Sequence, residues 1–326
     1  KQHGHVDQDR FDDCPIDLLT VDLLTQAAPD RGARDGHAAA LTVTHKKLER
    51  DGLNTEQYRT LESPPLEQRA VRVGRARFGG RRRLRRAVAA DELLVQLLGN
   101  EGAQAMVVGH TRWASVGIIS EANAHPVNSE VEAHPNDPYF VAALNGDVDN
   151  YLDLAAEAGL SFPATITTDA KVIPSLVAER VRSGQDSAEA FRSCVASFDG
   201  SVAIALAGAH EPDVLRLAQR GSGQAIYVGL AEDTYVVASE PYGVVELTSN
   251  YVRLDGETPV DPTNPASARG QILTLDRNEA GTLHGLSRQS YDGTPLPMLE
   301  SDVVTAEITT SDIDRAGYPH FLLKEI

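Results

Sequence analysis

Cysteine is nearly absent from this chain. Only Cys14 and Cys194 occur among 326 residues, and neither belongs to a CxxC pair. A disulfide framework and a cysteine-based zinc site are therefore not expected, and the composition reads as that of a cytoplasmic protein. Long apolar runs are missing too. None approaches the roughly 20 residues that span a bilayer, and the opening KQHGHVDQDRFDD has no hydrophobic stretch of the signal-peptide kind. Basic charge is in deficit, with 30 Lys and Arg against 47 Asp and Glu, a formal net charge of -17. Phosphate backbones and anionic membranes are bound through Lys and Arg, so nucleic acid and membrane are not expected partners, and a small molecule is. His125 and His134 sit in AHP tripeptides with no helical HxxxH spacing. No metal and no cofactor are expected.

What is present suffices for a large core, at 41% apolar residues. Ile16, Leu19, Leu23, Leu24 and Ala27 space like an amphipathic helix over 15 to 28, and His37 to Val43 is an apolar run of strand length. Nine Arg fall between Arg69 and Arg86, ending in the block GGRRRLRR. The stretch near 60 to 90 is expected to be a solvated, mobile arm. From Asp91 order returns. DELLVQLL has helical spacing, AMVVGH and PYFVAALNG read as strands, and NYLDLAAEAGL reads as a helix. Thr168 to Arg182 is predicted to be an amphipathic helix with Val172, Ile173, Leu176, Val177 and Val181 inward, followed by a helix from Ser187 to Ser197.

Beyond these helices the period changes. SVAIALAGA, DVLRLAQR, AIYVGLA, TYVVASE, VVELTSNYVRL and QILTLDR are short strand-like runs separated by turn residues, as antiparallel hairpins require. Two packed sheets with helices outside would bury them, in one domain over 1 to 326. DGETPVDPTNPASARG at 255 to 270 reads as a surface insertion.

Three polar strings lie at predicted strand ends. In GHTRWAS, Arg112 could clamp a carboxylate through two parallel hydrogen bonds, or form a structural ion pair. Trp113 and Ser115 beside it suit a pocket wall. In LNGDVDNY, Asn145 and Gly146 could aim a side-chain amide and a backbone N–H at one point, an oxyanion hole, or simply make an Asn-Gly hairpin turn. In TTDAKVI, Asp169 could cap a helix or receive an ammonium group.

Taken in order, GHTRWAS, NAHP, LNGDVDNY and TTDAKVI resemble the class II glutamine amidotransferases, and among them the glutaminase domain of the isomerising glutamine:fructose-6-phosphate aminotransferases. DRGARDGHAAALTV, FDGSVAIAL, ASEPYG and YPHFLLKEI extend the likeness over about 20 to 326, less the Arg-rich stretch and an insertion near 255 to 310. The resemblance implies an α+β fold, a four-layer αββα sandwich of two antiparallel sheets between helical layers. It implies that Arg112 binds the α-carboxylate of glutamine and Asp169 its α-ammonium, that Asn145 and Gly146 bind the oxyanion, and that Trp113 and Ser115 line the pocket. In that family an N-terminal cysteine thiolate attacks the side-chain amide, giving a γ-glutamyl thioester and ammonia, then glutamate. The chain starts Lys1-Gln2-His3, and Cys14 has no free α-amine. The nucleophile is therefore expected upstream of Lys1; the alternative is an inactive glutamine-binding regulatory domain. Val116 stands where the family has His. The resemblance implies hydrolysis of L-glutamine with the ammonia passed to a sugar phosphate, another acceptor within the same class being a second alternative; the expected partners are L-glutamine and a C-terminal sugar-isomerase domain or partner chain, with a homodimer left open.

Overall fold

The computed structural model describes residues 17–24, 38–45, 71–77, 104–112, 116–118, 120–131, 137–221, 225–245 and 247–307. Its frame is two stacked sheets. One contains β1 (Asp17–Leu24), β2 (Ala38–His45), β3 (Val71–Arg77), β4 (Gln104–Arg112), β9 (Tyr227–Ala231), β10 (Thr234–Ala238), β11 (Asn250–Arg253) and β15 (Val303–Thr305). Their spatial order is β15, β11, β9, β10, β1, β4, β2, β3. The other contains β5 (Val127–Asn128), β6 (Phe140–Gly146), β7 (Val202–Gly208), β8 (Glu211–Arg220), β12 (Gln271–Asp276), β13 (Leu286–Ser290) and β14 (Pro295–Leu296). Their order is β14, β13, β12, β8, β7, β6, β5. All pairings are antiparallel except those of β1, which runs parallel to both β10 and β4.

Period-two patterning builds the double layer. On β6, Val141 and Ala143 join a core with Ala203, Ala205 and Ala207 of β7, Met106 and Val108 of β4, and Tyr235 and Val237 of β10. The intervening residues Phe140, Ala142 and Leu144, with Val202, Ile204 and Leu206, face a second core built on helices. Every residue of β7 is buried, as expected for a strand covered on both faces. Alanine dominates its sheet-facing side, so the two sheets can approach closely, while the bulkier side chains meet the helices.

Those helices are α1 (Tyr151–Glu157), α2 (Val172–Arg182) and α3 (Ser187–Ser197). Val172, Ile173, Leu176 and Val177 of α2 and Phe191, Cys194 and Val195 of α3 are buried against the seven-stranded sheet. Each large apolar side chain buried in this way contributes about 1.5–3 kcal/mol. Asp186 caps α3 by accepting the Ala188 and Glu189 N–H groups at 2.9 and 3.3 Å. Asn150, ahead of α1, instead ties the end of α3 to the loop that follows, donating to Ser197 O and accepting Asp199 N–H.

The α+β sandwich and its hairpins match the sequence reading, and three expectations need correction. Residues 17–24 form β1 and not the inner part of a helix. Thr20 and Val21 are β-branched, and the run LLTVDLL is hydrogen-bonded along both edges, to β10 and to β4. Within the Arg-rich stretch, Val71–Arg77 is an edge strand paired with β2. Its Val71, Val73 and Ala76 suit a strand, and charge such as that of Arg72, Arg75 and Arg77 is favoured on edge strands. The GGRRRLRR block lies outside the described residues, as does the expected helix at DELLVQLL. Finally, only 255–270 of the region 255–310 is a surface loop. Strands β12 to β15 follow it, and β12 sits between β8 and β13 inside the seven-stranded sheet.

Candidate functional site

The polar strings converge at one end of the two sheets. β6 ends in Asn145 and Gly146. Gly146 has φ +117°, and a Cβ there would lie 2.0 Å from the Ser201 carbonyl oxygen, so only glycine fits. The chain then turns back, with Asp147 N–H donating to that same oxygen at 3.0 Å. The Asn145 side-chain amide is half-buried and makes no hydrogen bond to another described residue.

Asp169 reaches this turn from another element. It opens a single 3-10 turn, Asp169–Lys171, that leads into α2. Its carboxylate is 3% exposed, and its Oδ2 accepts the Val148 N–H at 2.8 Å. The carboxylate is thereby held two residues past Gly146.

The NAHP string is the mortar between these parts. Asn123 is fully buried. Its Nδ2 donates to Ile118 O, Ser120 Oγ and Thr167 Oγ1, each at 3.0 Å, while its Oδ1 accepts Thr167 N–H and Thr168 N–H at 2.8 and 3.1 Å. All of its hydrogen-bonding capacity is spent on joining two loops. His125 continues the chain of contacts. Its Nδ1 lies 3.0 Å from Leu144 O, its Nε2 lies 3.3 Å from Thr168 Oγ1, and Thr168 Oγ1 lies 3.4 Å from Asp169 Oδ1. Nδ1 faces both the C=O and the N–H of Leu144, the residue before Asn145, while the Thr168 hydroxyl beside Nε2 donates on to Asp169. One buried imidazole thus links the Asn145 turn to the Asp169 turn. It also stacks near His110 of β4, with ring centroids 4.8 Å apart, which brings the GHTRWAS string to the same place.

Arg112 is the last residue of β4, two positions after His110 and paired across to Ala38 of β2. Its side chain, Trp113 and Ser115 lie outside the described residues. The structure therefore brings together the Asn145–Gly146 turn, Asp169 and the strand end that carries Arg112. Sequence reasoning assigned no part to Asn123, His125 and Thr168, which hold these pieces in place. The signal available for them was the NAHP string, read as a family marker and not as a hydrogen-bonding unit.

Lys171, in the same turn as Asp169, is 2% exposed. Its ammonium donates to Asn128 O and Glu130 O, both at 2.7 Å, and to Asn128 Oδ1 at 3.2 Å. Three acceptors compensate the buried charge and tie the Asp169 turn to the short edge strand β5. Cys194 is fully buried within α3, and burial pushes its thiol up to about 12, so it is no nucleophile. Among the described residues, no group of three or more His, Cys, Asp or Glu is placed to hold a metal. No described helix is long and apolar enough to cross a membrane.

A buried carboxylate thus stands beside a Gly-requiring strand-end turn, next to a strand that ends in Arg112. Residues 110–246 match the glutamine amidotransferase domain family, and the chain carries a class II domain of that kind. More particularly, it resembles the isomerising glutamine--fructose-6-phosphate aminotransferases. It is 29% identical over 233 residues to the one from Bacillus thuringiensis subsp. konkukian, covering 72% of this chain and 34% of the relative. With the relative from Halalkalibacterium halodurans it shares 32% over 230 residues, 70% of this chain and 33% of the other. With that from Bacillus licheniformis it shares 33% over 219 residues, 67% and 32%. The chain thus spans about a third of the length of the curated relatives it matches. A solved glutamine phosphoribosylpyrophosphate amidotransferase from B. subtilis aligns at 16% identity and a TM-score of 0.47, over 79% of this chain and 49% of that one.

Proposed function

We propose that this chain is the glutaminase domain of an amidotransferase that hydrolyses L-glutamine to glutamate and ammonia, the ammonia passing to a sugar phosphate handled by a further part of the protein. The observation that carries this reading is the placement of the Asp169 carboxylate against Val148, two residues beyond the Asn145–Gly146 turn. In this reading Asp169 receives the α-ammonium of glutamine, and Arg112 its α-carboxylate. The Asn145 amide and the Gly146 N–H stabilise the oxyanion formed as the side-chain amide carbon becomes tetrahedral. Trp113 and Ser115 complete the wall.

The thiolate that attacks belongs, as in the family, to an N-terminal cysteine. The cysteine's free α-amine takes the thiol proton, the sulfur bonds to the amide carbon, the ammonium so formed returns that proton to the nitrogen as the C–N bond breaks to release ammonia, and water then cleaves the thioester to glutamate. Likeness to aminotransferases acting on fructose-6-phosphate supports a sugar-phosphate acceptor. The test is glutamate release by the full-length natural protein with its mature N-terminus exposed. Stoichiometric glutamate and ammonia support the reading, and a folded protein that leaves L-glutamine intact refutes it.

A further inference from the structure

A cleft of about 590 Å³, lined by none of the residues assigned to glutamine, opens between α3, the end of β8, the 255–270 loop and the start of the turn after β13. Arg192, Arg220 and Arg269 line it, with Tyr291, Ser267 and a single carboxylate, Asp292. In a chain of net charge -17 a cationic hollow is out of keeping with the rest of the surface.

The three guanidinium groups are not equally committed. Arg192 is paired with Glu189, at 2.6 and 2.7 Å, and donates to Tyr291 O. Arg220 has no carboxylate partner among the described residues. It donates to the carbonyl oxygens of Phe198 and Gly200 at the end of α3, and its guanidinium lies 5.5 Å from the Tyr291 ring centroid. Arg269 is exposed and donates only to Pro265 O at 3.0 Å. The loop does not need that charge to hold its shape. Asp261 accepts Thr263 N–H and Oγ1–H, and Asp255 accepts Glu257 and Thr258 N–H, which fixes its turns. Tyr291 adds a second observation. Its hydroxyl is buried with no hydrogen-bond partner among the described residues. A buried, unpaired donor of this kind is costly, and here it belongs to a residue that lines the cleft.

We propose that this cleft binds a phosphate-bearing small molecule, with Arg220 and Arg269 supplying guanidinium donors not already neutralised by carboxylates. Planar guanidinium forks match phosphate oxygens in pairs, and the cleft volume is that of a metabolite site. The proposal does not depend on the glutaminase reading. The site does abut it, because Arg220 pairs across β8 and β7 with Val202, which pairs with Gly146.

The experiment is calorimetric titration of the full-length natural protein with inorganic pyrophosphate, repeated with malonate. Saturable pyrophosphate binding with a Kd near or below about 1 mM is expected, weakened tenfold or more by Arg269→Glu. A second variant, Ala196→Glu, puts a carboxylate into the cleft from an exposed helix position and should weaken binding similarly. Both positions are exposed, so both variants should melt like the parent. No saturable pyrophosphate heat, binding that survives both variants, or equally tight binding of malonate would each overturn the proposal.

Discussion

The carboxylate of Asp169 accepts the backbone N–H of Val148 at 2.8 Å, and so locks the entry to α2 onto the turn that ends β6. That contact fixes the carboxylate two residues past Gly146, beside the Asn145–Gly146 turn.

Asn145→Ala removes an amide that no other described residue engages. The variant should therefore fold with parental stability while losing an oxyanion donor, worth about 10²–10³ in kcat. Steady-state glutaminase kinetics check this: kcat should fall and KM for L-glutamine should change little.

Gly146→Ala should act the other way, on the fold first. A φ of +117° is strained for any residue with a Cβ, and the added methyl would meet Ser201 O at 2.0 Å. A loss of at least about 1–3 kcal/mol is expected, read as a lower urea midpoint.

His125→Ala strips the imidazole that joins Leu144 to Thr168 and leaves a buried carbonyl unsatisfied. The expected cost is about 1–3 kcal/mol. Loosening of both turns should also lower kcat, whereas replacing the exposed Leu152 on α1 should change neither.

Acid sensitivity should reside partly in Glu211. Burial alone would raise its carboxyl pKa, but hydrogen bonds from Arg216, at 2.7 and 3.1 Å, and from Ser187, at 2.7 Å, outweigh burial and lower it. A group depressed in the folded state contributes stability above its unfolded pKa, and that contribution is lost as pH falls through the folded value. Unfolding free energies of the parent and Glu211→Gln should therefore differ at neutral pH and converge as pH falls below the ordinary carboxylate range. A gap independent of pH would contradict this.

Much of the fold was legible in the sequence where a period dominates its surroundings. The short, uninterrupted apolar runs of β6 and β7, bounded by turn residues, read as buried strands, and the spacing of Val172, Ile173, Leu176 and Val177 reads as a helix. β1 was obscured because Leu19, Leu23 and Leu24 also fit a helical spacing, and β3 because three Arg within seven residues resemble a charged arm. In the site, Asn145, Gly146 and Asp169 were legible as parts of strings that belong together. The binding agent was not, since Asn123, His125 and Thr168 contact residues 19 to 45 positions away, and no local spacing encodes such contacts.

The affinity of the folded protein for L-glutamine, compared with that of Asp169→Asn by calorimetry, addresses the pocket most directly. Asparagine keeps an oxygen that can accept the Val148 N–H, so the turn should survive while the charge facing the substrate's ammonium is lost. Binding is expected to weaken by about 10- to 100-fold, in keeping with the roughly 1.5–3 kcal/mol of a hydrogen bond to a charged group. Unchanged affinity in a variant that melts like the parent would contradict the assignment of Asp169, and with it the glutamine pocket.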